Sequence, residues 1–126
     1  MYTMTDDEFE AAVQDALDSI PDAFLEALDN VMVTVQNEPN ACQRMSSGSE
    51  GPSGEILGLY EGVALTQRGE WYGEGEMPDV VTIFKGPHER CFNSRERIVE
   101  EIRRTVVHEI GHHFGMDDAA LRKIGY

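Results

Sequence analysis

The sequence has little positive charge. Only 10 of its 126 residues are Lys or Arg, against 24 Asp or Glu, which gives a formal net charge of −14. A polyanion would meet a repulsive field, and no segment rich in Lys and Arg offers a local site for phosphates. Nucleic acid and anionic membrane surfaces are therefore disfavoured as partners, whereas cations and basic peptides would be attracted.

Long apolar runs and cysteine-rich motifs are also missing. No run approaches the roughly 18 apolar residues of a membrane span. The N-terminus carries Asp6, Asp7 and Glu8 where a secretory signal would need positive charge and then an apolar segment. Cys42 and Cys91 are the only cysteines, and they form no CxxC element. We therefore expect a cytoplasmic protein with two free thiols and no structural zinc site.

The composition predicts one globular domain spanning residues 1–126, because 40% hydrophobic and 27% charged residues are ordinary for a soluble fold. Apolar periodicity predicts an α+β class, in which a few-stranded sheet packs on a long active-site helix that follows N-terminal helices. The predicted helices cover residues 6–19, a short segment after Pro21, a long stretch from Asn93 or Ser94 to Gly115, and a short segment capped by Asp117. The predicted strands cover residues 31–35, 56–60 and 80–84, the last closed by Gly86 and Pro87.

Several local features carry more specific expectations. Residues 40–54 are rich in Ser, Gly and Pro and predict a mobile surface loop. Gly58 within a strand indicates a bulge or a close backbone approach, and Gly111 within a helix indicates close packing on another element. We expect His88 to lie at the surface on a turn. Trp71 is expected to cover the core, with substrate contact as the alternative.

The strongest chemical signal is the string His108-Glu109-Ile110-Gly111-His112 near the end of the long predicted helix. Helical residues four apart share a face with Cβ atoms about 5 to 6 Å apart, so His108 and His112 can bind one ion. A catalytic zinc takes three protein ligands and leaves one position for water. Glu109 points far enough from the histidine pair to stay off the metal and near that water, as a general base would.

A third ligand is expected from the turn that follows this helix. Gly115 can adopt a left-handed conformation, end the helix and turn the backbone towards the ion. Asp118 then completes the pattern HExxHxxGxxD. Asp117 is interpreted as a helix cap and His113 as a packing or supporting residue. Chance explains the motif poorly, since HExxH should occur in roughly 0.015 of sequences with this composition.

The motif, together with residues 56–63, 78–87 and 103–107, resembles the small bacterial zincin-like metallopeptidases described as minimal zincins. The resemblance extends over most of the chain. It implies an α+β fold with a few strands packed on the active-site helix. It also implies a Zn2+ site made by His108, His112 and Asp118.

The sequence therefore predicts a hydrolase, a zinc-dependent metallopeptidase in which Glu109 activates a zinc-bound water against a peptide bond. Its partner would be a peptide or protein substrate that adds to an edge strand, and not nucleic acid or a membrane. Tyr60, Tyr72 and Tyr126 are candidates for stabilising the oxyanion.

Two other functions compete with this prediction. A metal-dependent endoribonuclease would carry the similar spacing HxxxHxxGxDH, but that pattern has Gly at the position of Glu109 and His at the position of Asp118. The charge of −14 also opposes RNA binding. The second alternative is a non-catalytic zinc-binding interaction module, which stays open.

Overall fold

Helices and strands are interleaved along the chain. The structure, a computed structural model, describes residues 2–25, 31–45, 49–50, 54–61, 79–113 and 116–124. Within these ranges the elements are α1 (Asp6–Asp18), α2 (Asp22–Leu25), β1 (Val31–Gln36), α3 (Ala41–Arg44), β2 (Ser49–Glu50), β3 (Ile56–Glu61), β4 (Asp79–Phe84), α4 (Lys85–Cys91), α5 (Arg95–His113) and α6 (Asp118–Lys123). The fold is α+β, as the sequence predicts, and the predicted strands are confirmed with small changes at their ends.

The four strands form one mixed sheet in the order β1-β4-β3-β2. β1 runs parallel to β4, whereas β3 is antiparallel to both β4 and β2. β3 and β4 are the inner strands of the sheet, and both have nearly continuous apolar sequences. In the part of the chain that the structure describes, β2 pairs with β3 at Ile56 and Gly58, in the first half of that strand.

The main core lies between this sheet, α1 and α5. α1 begins with the predicted capping box, in which Thr5 and Glu8 exchange hydrogen bonds between side chain and backbone. Ser94 caps α5, because its hydroxyl accepts from the Arg97 backbone N–H at 3.2 Å. All the apolar-face positions predicted for α5 are buried, namely Ile98, Ile102, Thr105, Val106 and Ile110. Burying each large aliphatic side chain contributes about 1.5 to 3 kcal/mol, so α5 is firmly held.

α5 comes unusually close to β3 at Gly58. A Cβ atom added there would collide with Cγ2 of Thr105 and would lie only 3.2 Å from the Thr82 carbonyl oxygen. Any larger residue would therefore push the helix off the strand. The predicted close backbone approach at Gly58 is confirmed, and it fixes the position of α5 on the sheet.

The prediction of a mobile loop over residues 40–54 is wrong where the structure describes that segment. Asn40 caps the one-turn helix α3, with its Oδ1 accepting from the Gln43 backbone and Gln43 Oε1 accepting from the Asn40 backbone. β2 then adds a short strand at the edge of the sheet. Hydrogen bonds between neighbouring residues order this stretch despite its low apolar content, which is why composition alone misjudged it.

Gly86 and Pro87 follow the end of β4 as predicted, but the prediction that His88 lies at the surface on a turn is wrong. The three residues do not form a surface turn, because α4 begins directly after β4 and accommodates Pro87 in its first turn, where proline is tolerated. His88 is fully buried and its Nδ1 lies 2.8 Å from the Phe84 carbonyl oxygen. Its ring packs between Phe9 and Phe92, with centroid distances of 5.8 and 6.0 Å.

Some of the remaining predictions are confirmed by the structure, and others stay untested. Cys42 and Cys91 are both free thiols, as predicted. None of the helices in the described ranges combines the length and apolar composition that a bilayer-spanning segment requires. Trp71 lies outside the described residues, so its predicted role stays a prediction.

Burial lowers the pKa of His88 to about 4, from its ordinary value of 6.5, and the hydrogen bond to Phe84 only partly opposes this shift. Nε2 is buried without a hydrogen-bond partner among the described residues, so a proton there would gain no acceptor. Above pH 6.5 neither the folded nor the unfolded state binds this proton. Between 6.5 and about 4 only the unfolded state binds it, so the free energy of unfolding falls as the pH decreases.

We expect His88→Asn to remove this pH dependence, because Asn keeps a donor for the Phe84 carbonyl but does not titrate. Urea unfolding at about pH 7.5 and about pH 4.5 should show the wild type losing about 2 to 3 kcal/mol more than the variant. The carboxylates titrate equally in both proteins and cancel in this comparison. Equal losses in the two proteins would exclude His88 as the source.

Candidate metal centre

His108 and His112 lie on one face of the last turns of α5. Their ring centroids are 5.7 Å apart and the ring planes are nearly perpendicular, at 88°. His108 is half-buried and His112 is exposed. The two imidazoles are therefore adjacent near the C-terminal end of the helix, which is the arrangement predicted from their spacing.

Glu109 turns in a different direction, towards the sheet. Only 6% of its surface is exposed, and its Oε1 accepts a hydrogen bond from the Tyr60 backbone N–H at 3.0 Å. Tyr60 lies beyond the two residues of β3 that pair with β2. The carboxylate thus occupies the place where a carbonyl oxygen of a neighbouring strand would otherwise bond, and it is held beside the histidine pair.

The register between α5 and β3 explains why Glu109 reaches this point. Thr105 packs on Gly58, and Glu109 is one helical turn further along. Four helical residues rise about 6 Å, and two strand residues advance about 6.6 Å, so Glu109 arrives level with Tyr60. The contact at Gly58 therefore sets the position of the carboxylate.

Tyr60 is also fixed through its side chain. Its hydroxyl donates to Oδ2 of Asp79 at the start of β4, at 2.7 Å. The hydroxyl proton is therefore engaged by a carboxylate in this structure, away from the oxyanion role that the sequence suggested. Tyr72 and Tyr126 lie outside the described residues, so their candidacy stays a prediction.

The chain after α5 returns to the helix end. The Met116 N–H donates to the Gly111 carbonyl oxygen at 2.8 Å, so the chain here contacts the last turn of α5. Gly111 also makes room for α6, because a Cβ atom there would lie 2.8 Å from Cδ2 of the fully buried Leu121. The predicted close packing at Gly111 is confirmed, and it holds the start of α6 near the histidines.

Of the two aspartates at the start of α6, the structure describes the side chain of Asp117 but not that of Asp118. Asp117 is the N-cap, with its Oδ1 accepting from the Ala120 N–H at 2.8 Å, as predicted. Asp118 is the first residue of the helix, but its side chain lies outside the described part of the structure, as do the side chain of His113 and residues 114–115. Asp118 as a ligand therefore stays a prediction.

The comparisons with known proteins identify the family and a similar fold. A family model described as zincin-like metallopeptidase matches residues 28–126. The chain belongs to the zincin-like metallopeptidase family. Its fold is also similar to that of a conserved hypothetical protein from Thermus thermophilus, with a TM-score of 0.57 and 20% identity over 95% of this chain and 99% of that one. No curated protein matches the chain.

The imidazole pair of this zincin-like protein is compatible with zinc. Two imidazoles on one tetrahedral zinc, with Zn–N bonds of about 2.0 to 2.1 Å, place their ring centroids roughly 5 Å apart. The observed 5.7 Å needs only a small side-chain adjustment. Among the described side chains, which do not include Asp118, no three His, Cys, Asp or Glu residues converge on a metal-sized space. The structure therefore supplies two adjacent donors and leaves the third ligand as a prediction.

Two contributions to the site could not be found by motif. The backbone N–H of Tyr60 has no signature in sequence, because every residue except proline carries one. Asp79 is 19 residues from Tyr60, and only the pairing of β3 with β4 brings them together. The sequence pointed to this region through Gly58 and through Tyr60 as an oxyanion candidate, but neither signal indicated the contact with Glu109 or the one with Asp79.

Removing the Glu109 carboxylate should free the Tyr60 amide. We expect Glu109→Ala to raise the hydrogen-exchange rate of this amide by about tenfold or more, because the N–H loses its acceptor. Glu109→Gln keeps an oxygen in the same place and should preserve most of the protection. NMR exchange measures both, with the buried Ile83 amide as reference. An unchanged Tyr60 rate in Glu109→Ala would contradict the contact.

Proposed function

We propose that this protein is a zinc-dependent metallopeptidase that hydrolyses peptide bonds with Glu109 as its general base. One observation carries the proposal: a buried carboxylate is fixed against β3 at the residue next to a pair of adjacent imidazoles. Membership of the zincin-like metallopeptidase family supports the same chemistry. The site thus combines two nitrogen donors with a carboxylate that points in a different direction.

His108, His112 and Asp118 would hold the ion. A zinc ion held there would supply Lewis acidity towards the scissile carbonyl and the attacking water. Glu109 then accepts a proton from the attacking water and returns it to the leaving amine. The hydrogen bond from the Tyr60 N–H keeps the carboxylate from swinging away, which favours proton transfer along one direction.

The substrate would be an extended peptide lying along the sheet. β2 pairs with β3 at Ile56 and Gly58, in the first half of that strand, and Glu109 lies beside its second half. The Tyr60 N–H is already engaged by Glu109, so the peptide would depend on other backbone groups of the sheet. The charge of −14 favours a peptide, particularly a basic one, over nucleic acid.

We expect about one zinc ion per chain when the protein is purified without chelator. His108→Ala, His112→Ala and Asp118→Ala should each weaken zinc binding by about tenfold or more, because each removes one of three ligands. Competition with a chromophoric chelator measures the affinity, and metal analysis gives the stoichiometry.

Asp117→Asn is the matched control for these variants. It removes one negative charge beside Asp118 while keeping an oxygen that can cap α6, so zinc binding should stay close to that of the wild type. Full zinc occupancy in His108→Ala/His112→Ala would show that the ion binds elsewhere.

Glu109→Gln should separate catalysis from metal binding. The amide retains the shape of the carboxylate and an acceptor for the Tyr60 N–H, so fold and zinc content should not change. Loss of the base should lower peptide hydrolysis by a factor on the order of 10² or more. Cleavage of a mixed peptide library, followed by mass spectrometry, measures the effect.

Two outcomes would count against the mechanism. Full activity of zinc-loaded Glu109→Gln would exclude Glu109 as the base. Absence of any cleavage by the zinc-loaded wild type would favour the non-catalytic zinc-binding module instead.

A further inference from the structure

A surface cleft lies at the opposite end of β3 from His108 and His112. It has a volume of about 280 Å³ and is lined by Glu38, Pro39, Arg44, Gly54, Glu55 and Ile56. Ile56 starts β3, whereas Tyr60, which contacts Glu109, is four residues or about 13 Å further along the strand. The cleft is therefore separate from the candidate metal centre.

One wall of the cleft consists of two carboxylates held side by side by Arg90 of α4. Arg90 Nη1 and Nη2 donate to the two oxygens of Glu38 at 2.8 and 2.7 Å, and Arg90 Nε donates to Glu55 at 2.9 Å. Arg90 Nη2 also contacts Glu55. The Arg90 hydrogen bonds lower the pKa of Glu38, so its carboxylate stays charged. Two carboxylates and one guanidinium leave this wall with a net charge of −1.

Arg44 contributes the opposite charge. Its side chain is exposed, and within the described ranges its guanidinium makes no hydrogen bond or close ion pair with another residue. Arg44 and Glu38 line the same cleft, and the Arg44 charge makes a minor contribution to lowering the pKa of Glu38. A guanidinium that lacks a partner beside a cleft favours a carboxylate or another planar anion.

The remaining lining is apolar. Pro39 and Ile56 lie at the cleft and expose only a small apolar surface, 7% for Ile56, and Gly54 leaves the rim open because it has no side chain. The cleft therefore combines a negative wall, a positive group and an apolar surface. This combination matches a molecule that carries an ammonium, a carboxylate and an apolar group.

We propose that this cleft binds a small zwitterion, either a free amino acid or a dipeptide with an apolar side chain. The ammonium group would lie against Glu38 and Glu55, the carboxylate against Arg44, and the apolar side chain on Pro39 and Ile56. The net negative charge of the wall and the positive charge of Arg44 balance the two charges of the ligand. This inference does not depend on the proposed hydrolytic function.

An NMR titration of the full chain with leucine and with glycyl-leucine tests the proposal. We expect saturable shifts of the Arg44 Nε–H and the Gly54 amide for at least one of these ligands, and the tighter one identifies whether an amino acid or a dipeptide is preferred. N-acetylleucine lacks the ammonium and leucinamide lacks the carboxylate, so each should bind about tenfold or more weakly than leucine. Equal binding of all four compounds, or no shift with either zwitterion, would overturn the proposal.

Arg44→Gln should weaken binding of the preferred zwitterion by about tenfold or more, because it removes a charge-assisted hydrogen bond to the carboxylate. Arg122→Gln is the matched control, since it makes the same change in charge on the exposed surface of α6, and it should bind like the wild type. Unchanged affinity in Arg44→Gln, or equal losses in both variants, would contradict the assigned contact.

Discussion

The direct contact of α5 with β3 is the constraint on which the candidate metal centre depends. At Gly58 the strand has no side chain, and Thr105 of the helix occupies the space that a Cβ would need. A helix this close to a strand has little freedom to slide, because neighbouring aliphatic side chains on the same helix face are fully buried. Every residue further along α5 therefore has a defined position relative to the residues of β3.

The position of each motif residue along β3 decides what its side chain contacts. Glu109 arrives level with Tyr60 and takes its backbone N–H, so the carboxylate is buried and oriented. His112 is about 4.5 Å further along the helix, level with the end of β3, which accounts for its exposure. One helix thus presents a shielded base next to a half-buried His108 and an exposed His112.

β3 also connects this centre with the rest of the molecule. At the other end of β3, Arg90 of α4 donates hydrogen bonds to Glu55, just before β3, and to Glu38, just after β1. These bonds link α4 to both strands. Next to this junction, His88 is buried between aromatic rings and has a lowered pKa, which makes the α1–α4 packing sensitive to acid. The two ends of one strand therefore carry two different kinds of polar site, one built on imidazoles and one on paired charges.

The sequence by itself determined the features that depend on neighbours along the chain. Capping boxes, apolar periodicity and the four-residue spacing of His108 and His112 act within one or two turns, so the main helices, the strands and the imidazole pair could be predicted. Only the tertiary structure decided the rest. The burial of His88, the bond between Glu109 and Tyr60, and the contact of Tyr60 with Asp79 join residues on different elements. Their geometry depends on how α4, α5 and the strands pack, and no local pattern encodes distances across a core.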